Sequence, residues 1–551
     1  MKKLLLIKAL FVVMLTQAQV SQVKDIYPGI PSSIPAYAKN RIVHAGKLIM
    51  AADGGAVYST QLWESDGTST GTVQLKRISS ANTASNPQGF MYFAPTNKVY
   101  FSANNGVNSL GTTNYELWET DGTLAGTVMT KEINAFTSNP GGYPAELTAF
   151  GNNFYFRANN GTTGSELFVS DGTGAGTVLV SDINPGSAAS TPADFTVVGT
   201  KLFFTADNGT SGKELYVTTG PTSATVSSFD INPGSASSGV DNLTFVDITG
   251  KLYFTANDGV HGTELWQSDG TPAGTFMVTD LNTGIADSAP ADLFVRAGFL
   301  YFSATTPTYG RELYVMDASL NVFLFKDINL GPADGMTAGG ANFISYTNVN
   351  TRLYFVANNG VDGAELWKSN GSPAGTVIVK DINPTGNSNI TNMFVFDGKI
   401  VFQATNGASG AELFVSDGTD SGTGLAADIN SGSAGSNPKD FIIYNSQLYF
   451  TATDVATGTE LWKAATAPTL GTTELTLVNN KIRLYPNPAK NYFELTTNQP
   501  IEKVEIYSML GQLVKTFSAQ NKYETSDLSK ANYIVKINTN TTFENKILVV
   551  E

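Results

Sequence analysis

The chain consists of short runs in which hydrophobic and polar residues alternate, separated by turns rich in Gly, Asn, Asp and Pro. Residues 241 to 290 show the pattern, with the runs NLTFVDI, KLYFTAND, TELWQSD and GTFMVTDLN separated by TG, GVHG and GTPA. Each run has the length of a strand, and the 3.6-residue period of a helix is missing. The pattern predicts four antiparallel strands joined by tight turns.

This four-run unit recurs nine times, at intervals of 47 to 55 residues. The third run always carries a leucine followed by an aromatic residue, and these leucines are Leu62, Leu117, Leu167, Leu215, Leu265, Leu313, Leu366, Leu413 and Leu461. A repeated four-stranded meander of this length is typical of a propeller blade. The sequence therefore predicts an all-β fold, a β-propeller of four-stranded blades, over residues 19–465.

The two ends of the repeat region are complementary. QVKDIYPGIPSS at 22 to 33 resembles the fourth run of a unit, whereas the last unit provides only three runs and ends after TELWKAA. Pairing the first segment with the last unit would leave no open sheet edge. We therefore expect a ring of nine blades, with eight blades or an incomplete ring as the alternatives.

The turn between the third and fourth runs reads Asp-Gly-Thr followed by Gly-Thr. Asp accepts backbone N–H bonds two residues on, and glycine adopts positive φ without strain, so the phrase specifies a hairpin. Contact with calcium or a glycan is the alternative. The aspartates are Asp66, Asp121, Asp171, Asp269 and Asp417, with Asn370 in a sixth copy.

Strand alternation places the glutamate and the aromatic residue of each third run on the same face. We expect the rings in the core between blades, and the carboxylates partly buried with N–H or hydroxyl partners, with ion ligation as the alternative. The tryptophans are Trp63, Trp118, Trp266, Trp367 and Trp462. The glutamates are Glu116, Glu166, Glu214, Glu264, Glu312, Glu365, Glu412 and Glu460, with Gln61 in the first copy.

A further carboxylate precedes the isoleucine or leucine that ends most fourth runs. In propeller topology these ends and the loops between second and third runs open on one face, which we take as the candidate interaction surface. The loops lack the calcium-binding spacing D-x-[DN]-x-[DN]-G, and turn formation is the simpler role. As cation ligands, calcium being the one cofactor considered, the candidates are Asp182, Asp230, Asp280, Asp327, Asp381 and Asp428.

Composition restricts the partners. The chain has 551 residues and no cysteine, and between the amino-terminal segment and residue 481 it carries 21 basic and 40 acidic residues. Such a surface disfavours nucleic acid and anionic membranes, both of which are polyanions. Residues 1–18 have the basic start and apolar stretch of a signal peptide, and no later stretch is long enough to span a membrane.

Catalytic constellations are difficult to assemble from this sequence. Only His44 and His261 are available for a Ser-His-Asp site, and neither lies in a nucleophile motif. Paired carboxylates for glycosidic cleavage remain an alternative, since acidic residues are numerous. The favoured function is a non-catalytic binding or adhesion protein with an unknown surface ligand, a glycan or a protein. A glycan-active hydrolase or lyase and a structural surface or matrix component are the competing classes.

The repeat phrases QLWESDGT at 61, ELWETDGT at 116 and ELWQSDGT at 264 resemble the ELWxxDGT repeat family of exported bacterial proteins. The resemblance covers roughly residues 22 to 464. It implies a surface or secreted protein, and membership by itself assigns no enzymatic activity.

The end of the chain differs from the repeats. After a linker at 466–480, residues 481–551 contain LYPNPAKNYFEL, VEIYSMLGQLVKTF and YIVKINTNTTFENKILVVE, whose alternating strands predict a small Ig-like β-sandwich. The three motifs resemble the C-terminal sorting domain of the type IX secretion system. The resemblance implies handling by that machinery and delivery to the cell surface or medium. The motif residues are Pro486, Asn487, Pro488, Gly511, Tyr533 and Lys546.

Overall fold

The structure is a computed structural model. It describes residues 20–35, 41–55, 59–79, 83–107, 113–135, 141–247, 249–337, 339–340, 343–346, 352–467, 470, 483–485, 488–496, 501–508, 512–520, 522–539 and 543–550. The chain divides into two compact units, Met1–Gly471 and Thr472–Glu551. The predicted signal peptide at 1–18 lies outside the described residues, as do most of the linker and the motif residues Pro486, Asn487 and Gly511.

The first unit consists of strands, with one turn of 3₁₀ helix at Ser223–Thr225 as the only helical element among the described residues. Its first strand is β1 (Val20–Lys24). Blades 1 to 3 contain β2 (Arg41–His44), β3 (Lys47–Asp53), β4 (Thr60–Ser65) and β5 (Val73–Lys76); β6 (Gln88–Phe93), β7 (Lys98–Val107), β8 (Thr113–Thr120) and β9 (Val128–Lys131); and β10 (Ala145–Phe150), β11 (Asn153–Asn159), β12 (Ser165–Ser170) and β13 (Val178–Ser181). Blades 4 to 6 contain β14 (Ala193–Val198), β15 (Lys201–Asp207), β16 (Lys213–Thr218) and β17 (Val226–Phe229); β18 (Asp241–Val246), β19 (Lys251–Asn257), β20 (Thr263–Ser268) and β21 (Phe276–Thr279); and β22 (Ala291–Arg296), β23 (Phe299–Thr306), β24 (Gly310–Met316) and β25 (Val322–Lys326). Blades 7 to 9 contain β26 (Ile344–Tyr346), β27 (Arg352–Asn358), β28 (Ala364–Ser369) and β29 (Val377–Lys380); β30 (Thr391–Phe396), β31 (Lys399–Ala404), β32 (Glu412–Ser416) and β33 (Thr423–Ala427); and β34 (Lys439–Tyr444), β35 (Gln447–Asp454) and β36 (Gly458–Ala464).

These strands form nine four-stranded sheets within the described part of the unit. Eight sheets take their strands in chain order, and the ninth has the order β1-β36-β35-β34. The amino-terminal strand pairs antiparallel with β36, placing Val20 opposite Ala464 and Ser21 opposite Lys463. The predictions of an all-β propeller fold and of pairing between the two ends are confirmed, and the number of blades is nine.

The second strand of each blade is buried on both faces, which explains its continuous hydrophobic run. In β19, Leu252 and Phe254 contact blade 4, whereas Tyr253 contacts blade 6. All three side chains are 0% exposed. Each sheet therefore requires a neighbour on either side.

Blades 9 and 1 meet through a core of the same kind. Val23 and Tyr449 of blade 9 pack with Leu48 and Met50 of blade 1. The Tyr444 hydroxyl donates a hydrogen bond of 2.6 Å to the Gly46 carbonyl oxygen. The hydrophobic cores consequently run through all nine blade interfaces and close the ring.

The carboxyl-terminal unit has two sheets around one core. The first contains β37 (Arg483–Tyr485), β38 (Tyr492–Thr496) and β41 (Tyr523–Glu524), and the second contains β39 (Ile501–Ser508), β40 (Leu513–Ser518), β42 (Asn532–Thr539) and β43 (Phe543–Val549). Phe493 and Tyr523 of the first sheet pack with Val504, Val535 and Leu548 of the second. This packing confirms the predicted β-sandwich.

Ring closure can be tested with a disulfide, because the chain contains no cysteine. We expect Val20→Cys with Ala464→Cys to crosslink under oxidising conditions, since the two positions are paired. The closed loop restricts the unfolded chain, so the free energy of unfolding should rise by about 3–5 kcal/mol. Non-reducing electrophoresis and thermal melts with and without reductant provide the readout. Monomeric protein that stays uncrosslinked would show that the ring is open at this point.

Candidate interaction face

The glutamate of each third strand is the centre of a buried hydrogen-bond cluster. The Glu264 carboxylate is 0% exposed and accepts the Leu281 N–H at 3.0 Å and the Ser288 N–H at 2.9 Å. The Ser288 hydroxyl donates a third bond, of 2.5 Å. Leu281 follows the fourth strand and Ser288 lies on the connection to the next blade. One carboxylate therefore fixes a strand end and the connection that follows it.

The other copies repeat this arrangement around the ring. The Ile183 and Ser190 N–H groups donate to Glu166 at 2.8 Å each, and Ile26 and Ser33 donate to Glu460 at 3.2 Å each. Gln61 replaces the carboxylate in blade 1, and its amide nitrogen donates to the Thr83 carbonyl oxygen at 3.3 Å. Equivalent backbone donors bond Glu116, Glu214, Glu312, Glu365 and Glu412.

Burial raises the pKa of these carboxyls, while the N–H donors favour the charged form. The pKa values of Glu116, Glu312 and Glu460 are raised to about 7, and those of the other five glutamates are raised as well. The hairpin aspartates behave in the opposite way: hydrogen bonds from Thr173 lower the pKa of the exposed Asp171. The two sets of carboxyl groups thus titrate in different pH ranges.

We expect the stability of the repeat unit to fall as the pH rises from about 4.5 to about 7. Over that range the folded chain holds protons on the buried glutamates that the unfolded chain has already released. Below pH 4 stability should fall again, because the hairpin aspartates become protonated. Thermal melts at a series of pH values measure both limbs. Glu312→Gln should flatten the upper limb, and a melting temperature that rises steadily from pH 4.5 to 7 would contradict the assignment.

Glu264→Gln tests the cluster directly. An amide can accept only with its oxygen, so one backbone N–H of the cluster loses its acceptor. We expect a loss of about 1–3 kcal/mol in the free energy of unfolding, with ligand binding little affected. Glu132→Gln, at an exposed position, serves as the control. An unchanged melting curve together with lost ligand binding would instead assign Glu264 to a binding role.

The aromatic residues beside the glutamates lie between blades. Trp63, Trp118 and Trp367 are 8%, 8% and 6% exposed and belong to three inter-blade cores. Trp266 and Trp462 are partly buried against two further cores. These rings are therefore packing residues of the ring and have little surface to offer a ligand.

The Asp-Gly-Thr phrase forms a hydrogen-bonded hairpin. Asp269 Oδ1 accepts the Thr271 N–H at 2.9 Å and the Thr271 hydroxyl at 2.7 Å. Thr271 Oγ1 accepts the Gly274 N–H at 3.1 Å. A Cβ on Gly274 would lie 2.1 Å from the Asp269 carboxyl, which explains the glycine. The same contacts surround Asp66, Asp121, Asp171 and Asp417.

The six cation candidates occupy one connection each. Asp182, Asp280 and Asp327 accept the N–H of a glycine four residues on, at 3.2, 3.1 and 3.3 Å. Asp230, Asp381 and Asp428 hold the same sequence position in their own connections. The described residues contain no group of three or more His, Asp or Glu side chains placed to hold a metal ion. The structure therefore does not bring these candidates together.

The loops between second and third strands lie beside the blade connections. Asn257 N–H donates to the Ser238 carbonyl oxygen at 2.8 Å, and Thr263 N–H donates to Asp287 Oδ1 at 2.6 Å. Ser238 and Asp287 belong to the connections on either side of blade 5. We call the surface formed by these loops and connections the connection face.

The connection face carries exposed aliphatic side chains that the sequence analysis missed. Among the described residues, every large hydrophobic side chain that is at least 75% exposed lies here, namely Ile30, Ile285, Leu330, Val361 and Val455. A Cβ on Gly360 would lie 2.6 Å from Asn329 Oδ1, so the chain of blade 7 approaches the connection that follows blade 6 at this point. Leu330 and Val361 are the next residues after Asn329 and Gly360. The sequence does contain a signal for this exposure, because these apolar residues lie inside loops rich in Gly, Asn and Asp.

Two grooves open between successive connections. The larger has a volume of about 470 Å³ and lies between blades 6 and 7. Its lining includes Arg311 at the start of β24 in blade 6, residues of blade 7, and Asp334, Met336 and Asn387 from the connections before and after blade 7. The second, of about 380 Å³, has the corresponding position at blade 5 and is lined by Asn232, Asn257 and Thr263.

Comparison with known proteins identifies the carboxyl-terminal unit. The family described as the secretion system C-terminal sorting domain matches residues 483–551. The protein is thus exported to the cell surface or the extracellular space through the type IX system. Within this unit, the Tyr533 hydroxyl donates to the Ser529 carbonyl oxygen at 2.9 Å, Pro488 is exposed and Lys546 is partly exposed. Among the described residues, no helix has the length and hydropathy needed to span a bilayer.

No curated protein matches the chain. Solved structures similar to it include a prolyl endopeptidase, with 12% identity, a TM-score of 0.35 and coverage of 72% of this chain and 54% of the other. A puromycin-hydrolyzing peptidase of Mycobacterium tuberculosis has 12% identity, a TM-score of 0.35 and coverage of 64% and 56%. The extracellular domain of a candidate hybrid two-component system of B. thetaiotaomicron has 11% identity, a TM-score of 0.27 and coverage of 92% and 79%.

The chain thus spans little more than half the length of the two peptidases. At these TM-scores and identities, the similarity to these structures says nothing about the activity of this protein.

Proposed function

We propose that the repeat unit is a non-catalytic binding propeller of the ELWxxDGT type, which holds a glycan or protein ligand on its connection face after export. The observation that carries the proposal is the concentration of exposed aliphatic side chains on that face. Single exposed apolar residues are ordinary, but a set confined to one surface of an exported protein favours an interaction site.

The chemistry of the carboxyl groups supports binding over catalysis. A glycosidase needs an accessible acid of raised pKa beside a second carboxylate. Glu116, Glu312 and Glu460, whose pKa values are raised to about 7, are 0% exposed and bonded to backbone N–H groups. A substrate cannot reach them without dismantling the connections, so they serve the fold.

The test is a triple substitution, Ile285→Ser with Leu330→Ser and Val361→Ser. Because these side chains are exposed, we expect an unchanged melting temperature. Because they form the proposed contact surface, we expect labelled protein to be retained at least tenfold more weakly on a printed glycan array and on bacteria that export it. Leu124→Ser, which removes an exposed leucine from a hairpin between third and fourth strands, is the control. Equal retention of the triple variant and the wild type would refute a binding role for the face.

A further inference from the structure

The lining of the groove at blade 7 includes one basic residue that departs from the repeat. Arg311 is 8% exposed and lines the groove. It occupies the position before the third-strand glutamate, where most copies have a small residue. The corresponding residues are Thr60, Tyr115, Ser165, Lys213, Thr263, Ala364, Ala411 and Thr459. A buried guanidinium thus enters one groove of an otherwise repetitive face.

The protein itself bonds only part of the Arg311 guanidinium. Arg311 Nη1 donates to Ser303 Oγ at 3.1 Å, and this is the one hydrogen bond of the guanidinium within the described residues. Burial lowers the pKa of Arg311, while the charges of Asp334 and Asp292 oppose that shift. A guanidinium has five N–H donors, so most of them remain for a bound molecule.

Two amides add donors of fixed direction. Asn358 Oδ1 accepts the Gly360 N–H at 2.7 Å, and Asn387 Oδ1 accepts the Ala364 N–H at 2.8 Å. Because each amide oxygen is bonded to its loop, the NH₂ groups are the ends left for a ligand in the groove.

Acceptors and apolar surface complete the lining. Asp334 Oδ1 accepts the Arg311 backbone N–H at 2.7 Å, and its second oxygen has no partner among the described residues. Met336 and Val356 provide an apolar wall. The groove therefore offers both donors and acceptors, and the charges of Arg311 and Asp334 offset each other.

We propose, on the basis of the binding role proposed above, that this groove binds a neutral saccharide. Each hydroxyl of a sugar both donates and accepts, which matches mixed Arg, Asn and Asp partners, and the C–H face of the ring packs on apolar side chains. A volume of about 470 Å³ accommodates one or two sugar rings. Asp334, Asp292 and the acidic repeat unit disfavour anionic sugars.

The blade 5 groove supports the same ligand class. Its lining combines the amides of Asn232 and Asn257 with the hydroxyls of Ser237 and Thr263. It contains no charged residue among the described lining, so hydroxyl-matched chemistry is common to both grooves.

The repeats themselves provide substitutions that the fold accommodates. Arg311→Thr restores the residue found at the same position in blades 1, 5 and 9. Asn387→Asp keeps the loop hydrogen bond, because Asp287 accepts the same kind of bond from Thr263 at 2.6 Å, but removes the NH₂ donor. Arg352→Thr, at the opposite end of β27, is the matched control.

The experiment uses residues 19–551 on an array of neutral gluco-, manno-, galacto- and xylo-oligosaccharides with acidic oligogalacturonate as comparison. We expect a neutral oligosaccharide to bind, and calorimetry to show Kd raised about tenfold or more by Arg311→Thr and by Asn387→Asp. Arg352→Thr should leave Kd unchanged, and melting temperatures should match the wild type.

Three results would overturn the inference: no binding of a neutral oligosaccharide, preference for oligogalacturonate, or an unchanged Kd in both groove variants. Retention on bacterial cells separates this failure from that of the proposed function. If the wild type binds cells and the aliphatic triple variant does not, the connection face is an interaction surface and only the saccharide assignment is wrong. If the wild type binds neither cells nor glycans, both proposals fail.

Discussion

The pairing of β1 with β36 is the contact on which the rest of the structure depends. The second strand of every blade is buried on both faces, so a blade without a neighbour would expose residues such as Tyr449 and Leu448 to water. Nine sheets can each have two neighbours only in a closed ring. Closure requires the first and last parts of the repeat region to share one sheet, and the antiparallel pairing of Val20 and Ser21 with Ala464 and Lys463 of β36 provides that contact.

The buried glutamates extend this constraint to the surface. Each one bonds the end of its own fourth strand and the connection to the next blade, as Glu264 does with Leu281 and Ser288. A loop of small and polar residues would otherwise have little to hold it, since it contributes few apolar contacts. The connection face is therefore ordered by the interior of the ring, and its side chains can be presented to a ligand without first paying for loop ordering.

Much of this architecture follows from local patterns in the sequence. Alternation predicts the strands, the recurring Glu-Leu-aromatic phrase predicts the number of blades, and the incomplete units at 22–33 and 439–464 predict closure. Each of these signals lies within one repeat or at its ends. The grooves and the exposure of Leu330 and Val361 depend instead on how connections from different blades approach each other. Residues 311 and 387 meet in one groove although 76 positions separate them, and no local pattern encodes that distance.

The repeats also separate structural roles from specific ones. Features present in most copies, such as the hairpin around Asp269 and the cluster around Glu264, satisfy their own hydrogen bonds and leave few groups for a ligand. Arginine occurs at the position of Arg311 in one copy only, and the other eight blades form without it, so the fold does not require this residue. The stability of the ring is distributed over nine similar interfaces, so one blade can hold a buried charge at limited cost to the whole. In such a scaffold the departures from the repeat, more than the repeat itself, indicate where a ligand is recognised.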